Sequence, residues 1–323
     1  MKTRIGFYSN QLNERGTTVA MIDYAYYCET LWNCESILFY LKDNPWNHAF
    51  SIQQAESMFP SRVLGLSDKT ELEHYAQRLQ LRYLYTIDFG NNNPLVSCSI
   101  NLVHAVFVNQ PHGDRYAVIS DHLNHNTETT VPVVPHMIDM PICHENVRSF
   151  LGIPPDAIVL GRYGGLMEFN VPEAQEAVRR YLEKQDVPPI YFLFVNTMPF
   201  VQHPRAMFIP TLYDKMDKAR FIHTCDAMLY GRSDGETFGL SIGEFSLYNK
   251  PIIASSTPRD SFHLKTLGDC ALLFQTTEDL LVLFENLPTI LKERKDWTSS
   301  YRQYTPEKVM ETFRKVFLYD LDL

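Results

Sequence analysis

Residues 231–256 read GRSDGETFGLSIGEFSLYNKPIIASS, with two carboxylates, Glu236 and Glu244, on either side of Phe238-Gly239-Leu240. The apolar run DAMLYGR (226–232) has the character of a strand ending at Arg232. A polar loop follows, and the spacing predicts a helix over 239–248. The first N–H groups of a helix have no partner inside it and carry the positive end of its dipole, which suits a phosphate. Gly239 has no Cβ to hold a ligand off the backbone. Carboxylates suit paired hydroxyls better than phosphate. The arrangement therefore fits a ligand made of hydroxyls, a diphosphate and more hydroxyls, which is the composition of a nucleotide sugar. The competing reading is that both glutamates are solvated, or that Glu236 only favours a helix N-terminus.

Other segments carry related signals. AIVLGRYGG (157–165) places Arg162 among Gly161, Gly164 and Gly165 at a strand's end, where a guanidinium can hold a pyrophosphate bidentately. The spacing is not G-x-G-x-x-G, so no dinucleotide fingerprint is read. After the run RIGFYS (4–9), Gly16 and Thr17 open a helix whose N-terminus suits an oxyanion or acceptor. In HAVFVNQPHGDRY, His104 begins an apolar run and is expected in the core. His112 falls in a loop expected at the ligand edge. His122 with His125, and His136 with Cys143 and His144, lack a compact ligand set, so no metal site is expected. The Asp-x-Asp of the tail DLDL (320–323) follows no strand that would fix it and reads as chance.

These residues need elements to hold them. Strand-like runs at 4–9, 36–41, 62–66, 83–88, 104–109 and 131–135 alternate with helical patterns at 17–32, 69–80 and 116–124. A pause at 141–156, PICHENVRSFLGIPPD, reads as a short helix and a proline-rich turn in a linker. The rhythm resumes with strands at 157–165, 191–196, 207–211, 226–232, 251–256 and 270–274. Helices are expected at 171–184, 214–222, 239–248, 278–293 and 306–317. Such alternation is the signature of parallel α/β sheets. The chain thus reads as two doubly wound Rossmann-like domains, 1–148 and 149–305, with ligand beyond the carboxyl ends of the strands and a central cleft as the natural site. In the last helix Val309, Met310, Phe313, Val316 and Phe317 recur at three or four residues and mark a buried face.

Composition sets limits. The chain has 323 residues, enough for two cores, and 45% of them are hydrophobic. A formal net charge of −9 argues against general affinity for nucleic acid or anionic membrane. MKTRIGFYSN has no apolar core of a signal peptide, and no apolar run reaches membrane-spanning length. The six scattered cysteines read as reduced buried thiols, and the expected location is cytoplasmic. Oligomeric state is not legible.

Glu236-Thr-Phe-Gly-Leu-x-x-x-Glu244 resembles the E-x7-E motif of retaining glycosyltransferases, especially glycosyltransferase family 4 with its GT-B fold. The resemblance covers most of the second domain: Gly161-Arg162, CDAMLYGRSDGETFGL and the KPIIASS strand. The first domain is similar only in layout, in NERGTT and in QPHGDRY. The resemblance implies transfer of a sugar from a UDP- or GDP-linked donor to a glycan or other hydroxyl acceptor, with retention, no metal and no further cofactor. Glu244 would hold the ribose diol and Glu236 the donor-sugar hydroxyls. Arg162 and the amides of Gly239 and Leu240 would take the diphosphate, with Phe238 and Gly164 lining that site. His112 would lie against the donor sugar, and Gly16 and Thr17 where acceptor and phosphates meet. The last segment, 306–323, would pack back on the first domain. Arg232 is added from its strand-end position. The family's lysine about five residues after the arginine is absent from Tyr163-Gly-Gly-Leu-Met-Glu-Phe169, and Arg232, Arg205 and Lys215 are the candidates to replace it. The alternatives are a nucleotide-sugar epimerase and a non-catalytic nucleotide-sugar-binding protein.

Overall fold

The computed structural model describes residues 2–321 except 126, 128 and 294. By compactness the chain divides into a first unit, Met1–Asp139 with Tyr304–Leu323, and a second, Met140–Gln303. The first unit runs β1 (Arg4–Tyr8), α1 (Gly16–Trp32), β2 (Glu35–Leu41), α2 (Ala49–Met58), β3 (Val63–Leu66), α3 (Glu71–Leu79), β4 (Tyr83–Asp88), β5 (Ile100–Ala105) and β6 (Arg115–Val118). The second continues β7 (Ile158–Tyr163), α4 (Pro172–Glu183), β8 (Ile190–Val195), β9 (Ala206–Ile209), α5 (Lys215–Thr224), β10 (Ala227–Tyr230), β11 (Gly235–Glu236) and α6 (Leu240–Leu247). It ends with β12 (Ile252–Ser255), β13 (Asp260–Ser261), α7 (Phe262–Leu267), β14 (Ala271–Phe274) and α8 (Thr277–Ile290). The final helix, α9 (Pro306–Phe317), belongs to the first unit.

Each unit is built on a six-stranded sheet with every strand pair parallel. Helices cover both faces of such a sheet, so its central strands read as continuous apolar runs rather than alternating ones. In β8, IYFLFV, five of six residues are buried. The strand orders are β3-β2-β1-β4-β5-β6 and β14-β12-β10-β7-β8-β9. Numbered by appearance within each sheet, both are 3-2-1-4-5-6, the doubly wound order. Connections leave in opposite directions at β1/β4 and at β7/β10. In sheets of this order, ligands usually bind beyond the carboxyl ends of the strands at such a switch point.

The helix α9 has a proline at its first position, where no N–H is needed, and an apolar face of Val309, Met310, Phe313 and Phe317. Phe313 stacks on Tyr24 at 4.9 Å between ring centroids, and Phe317 meets Tyr85 at 6.0 Å. Beyond it Asp320 accepts from Tyr83 Oη at 2.7 Å and from Arg115 at 2.8 Å, fastening the end of the chain to β4 and β6. Residues 322 and 323, with the second aspartate of the Asp-x-Asp tail, lie outside the described residues.

Several expectations are corrected. The strand expected at 104–109 is β5 at 100–105. Polar Asn101 hid its beginning, yet that side chain is buried and bonded to the Val96 carbonyl and to Asp114. The helix expected at 116–124 is strand β6 followed by one 3-10 turn, because a short apolar run such as YAVI suits either element and pairing with β5 decides it. Residues 131–135 make only a bridge, Val118 to Val133, since two prolines withhold the N–H groups of a ladder. Helix α2 was not read from the sequence, its apolar positions being too few. Segment 141–156 contains turns and no helix. It is fastened within the second unit, with Arg148 bonding the Ala157 carbonyl and Asp226. Five cysteines are buried, and Cys98 is exposed. Among the described residues no helix is long and apolar enough to cross a membrane.

Candidate functional site

The carboxyl ends of β7 and β10 gather most of the residues singled out in the second unit. Arg162 is the penultimate residue of β7, and its side chain is held by the loops that follow β7 and β8. It donates to Thr197 Oγ1 at 2.5 Å, to the Gly165 carbonyl at 3.1 Å and to the Asn196 carbonyl at 3.3 Å. The residue is only 4% exposed, and burial brings its pKa down to about 10, so it stays charged at neutral pH. Gly164 makes this placement possible: a Cβ there would lie 2.6 Å from Arg162 Nη2. As placed, Arg162 ties together the loops that follow β7 and β8.

Arg232, two residues past β10, stands differently. One Nη lies 3.4 Å from Glu236 Oε1, and the other lies 3.7 Å from Glu168 and 3.9 Å from Asp234. Its Nε is buried with no hydrogen-bond partner. The guanidinium is thus ringed by carboxylates with its donors largely unused. Glu236 also accepts from Tyr230 Oη at 2.9 Å. Burial raises the Glu236 pKa, and Arg232 and the tyrosine hydrogen bond oppose the rise. The short β11–β13 ladder pairs Glu236 with Ser261 and holds this loop in place.

Gly239 caps α6 in the left-handed region, φ 90°, where a side chain would be strained. No side chain caps the helix, and no acid occupies its first turn, so its leading amides have no side-chain acceptor at the cap. Leu240, half-buried, opens the helix. Phe238 is a core aromatic, 2% exposed and stacked on Phe262, and its carbonyl accepts from Tyr301 Oη at 2.8 Å. Glu244 sits in the apolar helix LSIGEFSL, is 6% exposed, and accepts a hydrogen bond from Tyr163 Oη. Burial and Glu244 together hold the Tyr163 phenol well above its ordinary pKa, as a neutral donor.

In the first unit, Gly16 and Thr17 form the first turn of α1, which has no side-chain cap and follows the carboxyl end of β1. His112 was expected just past a strand, but β5 ends at Ala105, so it lies in the return connection three residues before β6 begins. There its Nδ1 lies 2.7 Å from the Gln110 carbonyl, and its Nε2 accepts from Asn93 N–H at 3.3 Å. His104 is fully buried, bonded to Tyr85 Oη and the Val134 carbonyl, as a core histidine should be. Arg205 directly precedes β9, at the amino edge of the sheet, and bonds the Leu182 carbonyl. Lys215 opens α5. Among the described residues no group of three His, Cys, Asp or Glu side chains is arranged to hold a metal.

Three features escaped the sequence reading. Glu168 stands six residues after Arg162, near where the family's lysine would be. Its carboxylate accepts from Gly165 N–H at 2.8 Å beside Arg232. Lys218 of α5 is 7% exposed with its ammonium 5.7 Å from the centre of the Tyr163 ring. Asn10 bridges the ends of β1 and β4, donating to Asp88 at 2.6 Å and accepting from Tyr8 Oη at 2.8 Å. Strand order brings Glu168 to Arg232, Lys218 to Tyr163 and Asn10 to Asp88, and no local motif marks these meetings.

The fold that results, two six-stranded parallel α/β units of one strand order, is that of the GT-B glycosyltransferases. Three solved structures illustrate the likeness. HepE of Anabaena in complex with UDP-glucose is 12% identical, with 99% of this chain and 100% of that chain covered and a TM-score of 0.74. A glycosyltransferase of Rickettsia africae is 11% identical, covering 97% and 94% with a TM-score of 0.66. The S. aureus MnaA–UDP structure is 13% identical, covering 100% and 98% with a TM-score of 0.62. No protein-family model and no curated protein sequence matches the chain.

Proposed function

We propose that this protein is a retaining glycosyltransferase, akin to family 4, that moves a sugar from a UDP- or GDP-linked donor to a hydroxyl acceptor without metal or further cofactor. The observation that carries the reading is Arg232. It is a guanidinium with unused donors, set at the β7/β10 switch point, close in sequence to the uncapped N-terminus of α6. A diphosphate supplies the acceptors that this arginine and those amides lack. Among similar folds, HepE is known with UDP-glucose bound.

In this reading Arg232 and the Gly239 and Leu240 amides take the diphosphate, and Lys218 supplies charge in place of the missing lysine. Glu244, oriented by Tyr163, receives the ribose diol. Glu236 meets the donor-sugar hydroxyls. The acceptor oxygen attacks the anomeric carbon from the face the diphosphate leaves, and its proton passes to the departing phosphate oxygen. The charge that develops is on that diphosphate, so prearranged donors lower the barrier more than a protein base would. Arg162 acts by holding the loops around the site. The assay is release of UDP or GDP from a panel of nucleotide sugars, with and without glycan acceptors, followed by NMR of the product's anomeric centre. Acceptor-dependent release with retention is expected, and inversion refutes the stereochemical part.

A second reading has support in a putative UDP-N-acetylglucosamine 2-epimerase from Listeria monocytogenes, 13% identical with a TM-score of 0.59. An epimerase would isomerise the donor with no acceptor present.

A further inference from the structure

The carboxylate of Glu168 is an unexpected neighbour for a phosphate site. It lies 3.7 Å from Arg232, a distance of electrostatic attraction just beyond a hydrogen bond, and it is anchored by Gly165 N–H at 2.8 Å. Arg162 closes the same turn through the Gly165 carbonyl. The charges at this spot are Arg162, Arg232, Glu168 and Glu236, and they sum to zero before Asp234 is added. Asp234 is itself drawn toward Arg259 at 2.9 Å. These four side chains alone give a diphosphate no net positive charge, and the attraction left to it comes from Lys218 and the leading amides of α6. The diphosphate must take Arg232 from a carboxylate already beside it.

We propose that Glu168 is a built-in competitor for Arg232, which the donor's diphosphate displaces on binding, so that Glu168 sets donor affinity and positions Arg232 between turnovers. The inference rests on the nucleotide-sugar reading above. Its physical basis is that two anions around one half-buried guanidinium repel each other, while the arginine can give its fork to only one of them. After transfer the same carboxylate would return to Arg232 and help expel the nucleotide, a step that limits turnover in many enzymes. The side chain is 29% exposed and its loop carries exposed Leu166 and Met167, so the carboxylate can move toward water.

The test is calorimetric titration of UDP, GDP and inorganic pyrophosphate into wild type and Glu168→Gln at low and high salt. Glutamine keeps an oxygen to accept from Gly165 N–H and removes only the charge. For whichever nucleotide the wild type binds, Glu168→Gln should bind about tenfold more tightly at low salt, with a smaller gain at high salt. A purely supporting residue would not improve affinity when its charge is removed. Equal or weaker nucleotide binding by Glu168→Gln, with wild type binding intact, overturns the inference and leaves the functional reading standing. No binding of any of the three by either protein removes the nucleotide reading and the inference with it.

Discussion

His104 should make the first unit sensitive to mild acid. Its imidazole is fully buried between Tyr85 Oη and the Val134 carbonyl, and burial brings its pKa from 6.5 to about 3. In the unfolded chain it binds a proton near pH 6.5, and in the folded chain it refuses one until near pH 3. The unfolded state therefore holds more protons throughout that window, and stability falls as pH falls. Between pH 7.5 and pH 5 the loss from this one group is about 2 kcal/mol, most of it below pH 6.5. His136, 5.9 Å away ring to ring, is likewise held well below its ordinary pKa by burial and by His104, and adds to the same trend. The measurement is urea unfolding at pH 7.5, 6 and 5 for wild type and His104→Gln, followed at the transition that the substitution shifts. Glutamine can still bond both neighbours but cannot take the proton, so its pH dependence should be shallower by about 2 kcal/mol over that range. Identical slopes for the two proteins would refute the argument.

Other outcomes follow from the same geometry. Gly164→Ala should push the Arg162 guanidinium out of its three hydrogen bonds and destabilise the second unit by about 2–4 kcal/mol, read by thermal unfolding beside Arg162→Lys. Glu236→Gln should abolish transfer yet melt above wild type at pH 7.5. The native site raises this carboxyl's pKa, so wild type bears a cost above the unfolded value that glutamine lacks, and the difference should vanish in acid. Asp320→Asn should loosen the end of the chain, costing about 1 kcal/mol once solvent screening is allowed for. The Arg115 and Tyr83 hydrogen bonds hold the Asp320 pKa well below the usual range, so its stabilisation is complete above about pH 4 and is lost on going lower, a trend that denaturant titrations of the asparagine variant should lack.

Long apolar runs bounded by turn residues were readable, which is why β1, β4, β7, β8 and α9 fall at or near their expected places. Failures came where a polar residue is satisfied internally, as Asn101 is in β5, or where a four-residue run suits two elements, as at β6. The helix start at Gly239 was legible because a glycine before an apolar segment is a local signal. The setting of Arg232 was not, because Glu168 lies 64 residues earlier in the chain and reaches it only through the adjacency of β7 and β10. Nor could the sequence distinguish an arginine that reaches outward from one that is held by the loops after β7 and β8. That depends on Gly164 leaving room and on Thr197 from the loop after β8. His112 shows the converse: a strand placed four residues late put the histidine at the wrong point of the connection.

The most direct test of the central claim is calorimetric titration of UDP and GDP into wild type, Arg232→Met and Glu244→Gln, the last keeping an acceptor for Tyr163. The account predicts that wild type binds one of the two nucleotides, that Arg232→Met weakens it at least about tenfold, and that Glu244→Gln weakens it through the lost ribose contact. Binding of neither nucleotide by wild type, or equal binding by all three proteins, would contradict a nucleotide site at the β7/β10 edge.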